Sequence, residues 1–546
     1  MSYRALLRPG VLACLFVLTA TARAAPQDWA VQFGTTLNDR PYDIVSDGAG
    51  GAFVAGTRFT VVPNWEWQAT VAHVLPGGAV DWSHEFGVPG GDDYAYAVAL
   101  DGAGGAVFAG ATDGDLGPGS NGGRDAFVAR YDGQGQLLWL RQYGTAGLEE
   151  ARGICSDGAG GHFVAGWTLG GFGGSTAGPW ATWVMRLDGG GNVQWILPIF
   201  DSVGSTQPTS VVADETGGLY VCGWTSADLT GAQAGGNDAF LARIDAGGGL
   251  VWLSQFGGVT DDHSSAVALA PDQGAFVGGR RKSPIPFEST DAFLSRIDPA
   301  GNVLWTRTDI QPNWDDIEGL APNGSGGVFA CSNAVAPLSP SFDAFYASIS
   351  GEGALEYVKY VGDLFTKDFA PAIASDGGSG LLLAGWTNAS LFGPELGGDD
   401  IFVAHYDGCE LDPWSVDCES TPNSTGKTAL IGAYGSSEVT NDDFKLVTAS
   451  CPSSTLGLFV MGATANSTPF GNGVLCVGGS VLRLLPALNT GTSGSTFLEL
   501  DFDDPSSPAS QIAPGSTWNF QFWFRDLAAG GAGFNLSNGL SVTFCP

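Results

Sequence analysis

Six carboxylates recur at one place in a repeating sequence. Asp39, Asp93, Glu149, Asp262, Asp315 and Asp368 each stand eight residues ahead of a turn, and Thr206 alone breaks the series. Clustered carboxylate oxygens are what hard cations such as calcium take, so a ring of these acids would be a metal site. The same spacing suits a local role, each carboxylate accepting N–H bonds from the loop before it. A residue repeated in nearly every unit answers a need that every unit has, which favours the local role. Asp47, Asp101 and Asp157, in D-G-A-G-G runs, lack the acidic spacing of an EF-hand loop and read as hairpin turns.

The aromatic residues are less regular. Trp167, Trp224 and Trp386 end G-W-T runs in three units, where other units carry Thr57, Ala111, Arg280 or Ser332. Trp65, Trp67, Phe172 and Trp180 fall in or beside the loops that follow. Such rings can stack on sugars or anchor a protein partner. Packing between repeats is the competing role. The ligand-binding candidates are therefore Trp167, Trp224, Trp386, Trp65 and Trp180. Catalytic signals are thin. G-x-S-x-G, H-E-x-x-H and phosphate-loop motifs are absent, and His73, His84, His162, His263 and His405 are scattered. Carboxylates that converge across loops stay open as a possibility.

These residues sit in a chain built from hairpins. Residues 125–144 (DAFVARYDGQGQLLWLRQYG) alternate apolar and polar positions on either side of an Asp/Gly turn, a hairpin signal. Copies begin at Asp238 and Asp291, with weaker ones at Gln68 and Ala181. Between them lie DGAGGAFVAG at Asp47, DGAGGAVFAG at Asp101 and DGAGGHFVAG at Asp157. Trp29, Trp82, Trp139, Trp195, Trp252, Trp305 and Tyr357 mark seven units, spaced by 53, 57, 56, 57, 53 and 52 residues. Four strand-like runs per unit of this length predict a seven-bladed β-propeller, not a helical solenoid. Naming the strands a to d from the axis outward, the chain starts on a d strand and ends the repeats on a c strand. The first strand is thus expected to complete the last blade and remove two open edges.

The W…FG, D-x-x-G-G-x-F-V-A-G and D-A-F-V-A-R motifs, over about 28–408, resemble the bacterial seven-bladed propeller repeat family known as SBBP. That resemblance implies the propeller fold and an extracellular setting, and no specific activity. Unit six departs most, with C-S-N at 331–333 where A-G-T is usual.

From Cys409 the rhythm changes. Residues 409–421 read as a linker and 422–546 as a smaller all-β, sandwich-like domain. In it Trp518, Phe520, Phe522 and Phe524 share one face. NSTG at Asn423, FGNGVLCVGG at Phe470 and the FWFRD…GFNLSNGLSVTFC ending resemble a C-terminal module of exported proteins of environmental bacteria.

Composition narrows the function further. Fifty-six Asp and Glu against 22 Lys and Arg give a formal net charge of −34. Such a surface repels phosphate backbones and anionic lipid, which excludes nucleic acid as a partner class. Residues 1–24 read as a secretory signal: Arg4 and Arg8, an apolar run at 11–22, then Ala22-Arg23-Ala24. The apolar run is too short to span a bilayer, and no later stretch is long enough. The mature chain keeps eight cysteines, five of them from Cys409 onward, and an oxidising compartment predicts disulfides there. No C-x-x-C occurs and no zinc constellation is visible. The sequence thus reads as a secreted or cell-surface, monomeric, non-enzymatic binding or scaffold protein. Its ligand is expected to be a glycan or protein on the loop-rich propeller face. No cofactor is called for, calcium being the one candidate. The alternatives are an extracellular polysaccharide hydrolase or lyase, and a purely structural envelope or matrix component.

Overall fold

The computed structural model describes residues 29–61, 65–117, 122–174, 180–199, 204–231, 234–282, 290–308, 316–335, 342–362, 366–406, 414–434, 437, 439, 444–502 and 508–544. The secretory segment, Asp315, Cys545 and residues 409–413 of the expected linker lie outside them.

Seven four-stranded antiparallel sheets account for residues 29–406. In chain order they span 39–86, 93–143, 149–199, 206–256, 262–307, 319–361 and 368–406, and are called sheets 1 to 7. Sheet 1 shows the pattern: β1 is Trp29–Phe33, and β2 (Asp39–Ser46), β3 (Ala52–Thr60), β4 (Glu66–Val74) and β5 (Val80–Phe86) run from inside outward. β1 belongs elsewhere. It pairs with Asp400–Tyr406, register Trp29 opposite His405, and supplies the outer strand of sheet 7. Each innermost strand packs beside the next, and that of sheet 7 packs against β2, so the ring closes. The fold is all-β, a propeller around an axial channel of about 620 Å³.

Apolar clusters fill every cleft between neighbouring sheets. The second strands, such as Ala106–Thr112 and His162–Thr168, are buried along their whole length. That is why V-A-G runs appear there instead of apolar–polar alternation: both faces meet another sheet.

The recurring Asp, Arg and Trp form one latch. Asp101 Oδ1 accepts the N–H groups of Ala103 (2.7 Å) and Gly105 (2.8 Å), closing a turn in which Gly102 and Gly104 take positive φ. Its Oδ2 accepts from Arg130 at 2.9 Å. Arg130 and the Trp139 indole then both donate to the Gly189 carbonyl of the next sheet. Asp157, Arg186 and Trp195 repeat this onto Ala246, and Asp214, Arg243 and Trp252 onto Pro299. In sheets 1 and 7 a histidine replaces the arginine: His73 meets Asp47 at 3.2 Å and His405 meets Asp376 at 3.3 Å.

From Trp414 the chain forms a six-stranded and a three-stranded sheet around one core, with a two-stranded ribbon beside them. Phe520, Phe522 and Phe524 of the strand Thr517–Arg525 point into it with Phe459 and Phe544. Ile431 and Leu446 of the smaller sheet meet them, which is the sandwich arrangement. Cys418 and Cys476 form a disulfide, and Cys451 is free and buried. Among the described residues no helix is long and apolar enough to cross a membrane, which says nothing of strands.

Candidate ligand site at the channel mouth

The recurring carboxylates do not ring the channel. Asp39 takes the Thr35 N–H at 2.6 Å, Asp93 that of Val88 at 2.9 Å, Glu149 that of Thr145 at 2.7 Å and Asp262 that of Gly258 at 2.6 Å. Asp368 takes the Thr366 hydroxyl at 2.7 Å. Each thus ties down the loop before its own strand, and none lines the channel wall. Among the described residues no three His, Cys, Asp or Glu side chains come close enough to hold a metal ion. Asp39, Asp93, Glu149, Asp262 and Asp368 each give one carboxylate oxygen to the loop before their own strand, as the local role expects. Asp315 lies outside the described residues. Burial pushes the Asp93 carboxyl up to about 6, against hydrogen bonds from Thr112 and Val88.

What faces the channel is the residue three places later. Tyr42, Tyr96, Arg152, Thr209, Ser265, Glu318 and Pro371 all line it. In sheets 1 to 5 this residue is the extra one in a β-bulge, skipped by the ladder between Pro41 and Asp43, Ala95 and Ala97, Ala151 and Gly153, Pro208 and Ser210, and Ser264 and Ala266. A bulge re-aims a side chain, here toward the axis. Sheet 6 differs. Its inner strand pairs only over Gly319–Pro322, which leaves Asp316 and Glu318 ahead of the ladder.

These side chains shape a cavity of about 410 Å³ at the mouth. Along one wall the Arg152 guanidinium lies 4.0 Å from the Tyr96 ring centre and pairs with Glu150 at 2.5 Å, while Tyr42 packs edge-on to Tyr96 at 5.2 Å. Opposite chemistry lines the rest: Asp316, Glu318, Arg280, His263 and Trp224. Asp316 accepts from Ile317 N–H (2.7 Å) and Ser265 Oγ (3.2 Å), with Arg280 at 3.8 Å. Burial, then the neighbouring Glu318, push the Asp316 carboxyl up to about 7, and Arg280 opposes them. Burial raises Glu318 as well. His263 is pushed down by burial and by Arg280, which favours its neutral form.

The tryptophans fall into two groups. Trp167, Trp180 and Trp224 form a ladder of ring contacts at 6.3 and 6.4 Å that ends on His263, stacked on Trp224 at 5.1 Å. Trp386 stacks on Phe369 at 4.2 Å in a second group. Arg40 links it to Trp67, and Phe59 links Trp67 to Trp65. Trp65 is 79% exposed and Trp180 37%, whereas Trp167 is 8% exposed. The burial of Trp167 suits packing, the competing role.

Sequence reasoning missed Tyr42, Tyr96, Arg152, Asp316 and Glu318. The available signal was the divergence of the position three residues after each recurring acid.

No family model matches the chain. A stretch of 99 residues is 31% identical to the regulatory protein FlaEY of Caulobacter vibrioides; it is 16% of this chain and 10% of that protein. The chain therefore spans about a tenth of that relative's length. Similar solved structures include the β-propeller domain of the Trilobed protease of Pyrococcus furiosus: 8% identity, 69% of this chain and 94% of that one, TM-score 0.40. Another is a polysaccharide lyase, an ulvan lyase bound to -[GlcA(1-4)Rha3S]-: 9% identity, 69% and 96% coverage, TM-score 0.41. A third is YCF48 bound to D1 peptide: 11% identity, 71% and 100% coverage, TM-score 0.37. At such scores these likenesses carry no argument about activity.

Proposed function

We propose that this is a secreted or cell-surface binding protein of the SBBP propeller type, which captures a glycan without cleaving it on the face that carries the channel mouth. The ladder Trp180–Trp224–His263 beside a polar cavity carries this reading. Aromatic faces backed by hydrogen-bonding side chains suit the mixed apolar and hydroxyl surface of a sugar. The secretory reading of residues 1–24 and the anionic surface support an extracellular setting, and the C-terminal sandwich fits attachment or export. A glycan array probed with the mature chain, with and without calcium, tests it. Binding that needs no calcium and weakens in Trp180→Ala supports it; an array with no signal rejects it.

One observation favours a second reading, an extracellular polysaccharide hydrolase or lyase. Asp316 and Glu318 are two neighbouring carboxyls in one cleft, one of them raised to about 7, as an acid or base working near neutrality requires. Turnover of a polysaccharide that is lost in both Asp316→Asn and Glu318→Gln would establish it over capture.

A further inference from the structure

We infer that the mouth cavity is an end-on pocket for one terminal unit of a neutral saccharide, with Trp224 as the stacking wall and Glu318, Tyr42 and Tyr96 as its hydroxyl-reading groups. This rests on the glycan-binding reading and narrows it from a face to a pocket and from glycans to uncharged sugar ends.

Charge is the first argument. The protein carries a formal −34, yet this cavity sets Arg152 and Arg280 against Asp316 and Glu318. His263 is held toward its neutral form. A site that sets both signs side by side favours neither sign of ligand strongly, and hydrogen bonding then decides what stays.

Unused hydrogen-bonding capacity is the second. Among the described residues no donor reaches the Glu318 carboxylate, and neither the Tyr42 nor the Tyr96 hydroxyl has a partner. The neighbouring charged groups are engaged: Asp316 with Ser265 and Ile317, Arg152 with Glu150. Glu318 is an acceptor and the two phenols are both donors and acceptors, the set that sugar hydroxyls complement. Polar groups kept free in a concave site are those that fix a ligand's orientation.

Shape is the third. The volume of about 410 Å³ lies within the range of roughly 300–1,000 Å³ common to small-molecule sites. Trp224 is fixed in the wall by His263 at 5.1 Å and by Trp180 at 6.4 Å, so its ring is pre-positioned. Beside Trp224 stands Trp180, 37% exposed, where the next unit of a chain would lie.

Ligand-observed saturation-transfer NMR on the full mature chain tests this, with the methyl glycosides of glucose, galactose and mannose, and N-acetylglucosamine, as neutral probes. Glucuronate and glucosamine serve as charged counterparts. At least one neutral probe is expected to bind, and its charged counterparts more weakly. Glu318→Gln should weaken binding by roughly tenfold, as loss of a charge-assisted hydrogen bond does, and Tyr96→Phe by less. Both variants should melt as wild type does. The inference is overturned if no neutral probe shows transfer, or if affinity is unchanged in both variants. Polysaccharide retention that depends on Trp180 and ignores Glu318 would reject the pocket and leave the glycan-binding face standing.

Discussion

Three residues apart on the same inner strand, two positions behave in opposite ways. The first holds an acid in every unit but the fourth, and in the five where it is described it ties its own loop by a hydrogen bond of 2.6–2.9 Å. The second holds tyrosine, arginine, threonine, serine, glutamate or proline, and it faces the channel. The repeated position answers a need of every sheet, a fixed entry into its innermost strand. The varied position has no such common task, because a bulge has released it from the ladder. In a ring of near-identical units, specificity belongs to the positions that the repeat leaves free.

The comparison can be broken from the structural side first. Deleting residues 25–34 removes β1 and leaves sheet 7 with an open edge. The expected result is loss of cooperative melting and aggregation during purification; wild-type melting would show that closure does not matter. Next in size is Trp167→Ala. A ring 8% exposed should cost about 3–5 kcal/mol on truncation, read as a fall in the denaturant midpoint. A near-neutral result would return Trp167 to the ligand face. Arg186→Ala removes one latch: its partner Asp157 is buried, it also donates to the Ala246 carbonyl, and it lies over the Phe163 ring. A loss of about 1–2 kcal/mol, discounted for the partly exposed arginine, is expected in urea melts.

Acid sensitivity separates the two regions with a smaller effect. Burial opposes ionisation of Asp101, Asp157 and Asp214, but turn N–H groups and arginines outweigh it and hold all three below the usual carboxylate range. Their contribution is complete above the unfolded value of about 3.8 and is lost as pH falls through the lower folded values. Asp316 has the opposite sign. Its folded value near 7 lies above 3.8, so the folded state holds the extra proton between the two, and stability declines as pH rises through that window. Asp316→Asn should flatten the slope of melting temperature between pH 4 and pH 7 without changing the acid limb. An unchanged slope would mean that Asp316 ionises freely in the mouth.

Much of the fold is legible in the sequence. Period-two patterning and the Trp29-to-Tyr357 spacing give strands and units, and a chain that starts on a d strand and stops on a c strand leaves β1 only one edge to fill. The D-G-A-G-G turns are legible because a local bond closes them, such as that from the Ala103 N–H to Asp101. The site is less so. Trp180 and Trp224 belong to different sheets, and their contact is set by how sheets 3 and 4 pack. Asp316 and Glu318 look like part of an ordinary acidic loop until the ladder of sheet 6 begins only at Gly319. Arg152 and Tyr96 face the channel only because a bulge skips them in the ladder, which the repeat pattern alone does not mark.

The most direct test of recognition at the released positions compares saccharide affinity and melting temperature in Glu318→Gln and Arg186→Ala. The account predicts that Glu318→Gln loses affinity at wild-type melting temperature, while Arg186→Ala melts earlier and binds unchanged at 20 °C. Unchanged affinity in Glu318→Gln together with weakened binding in folded Arg186→Ala would contradict it.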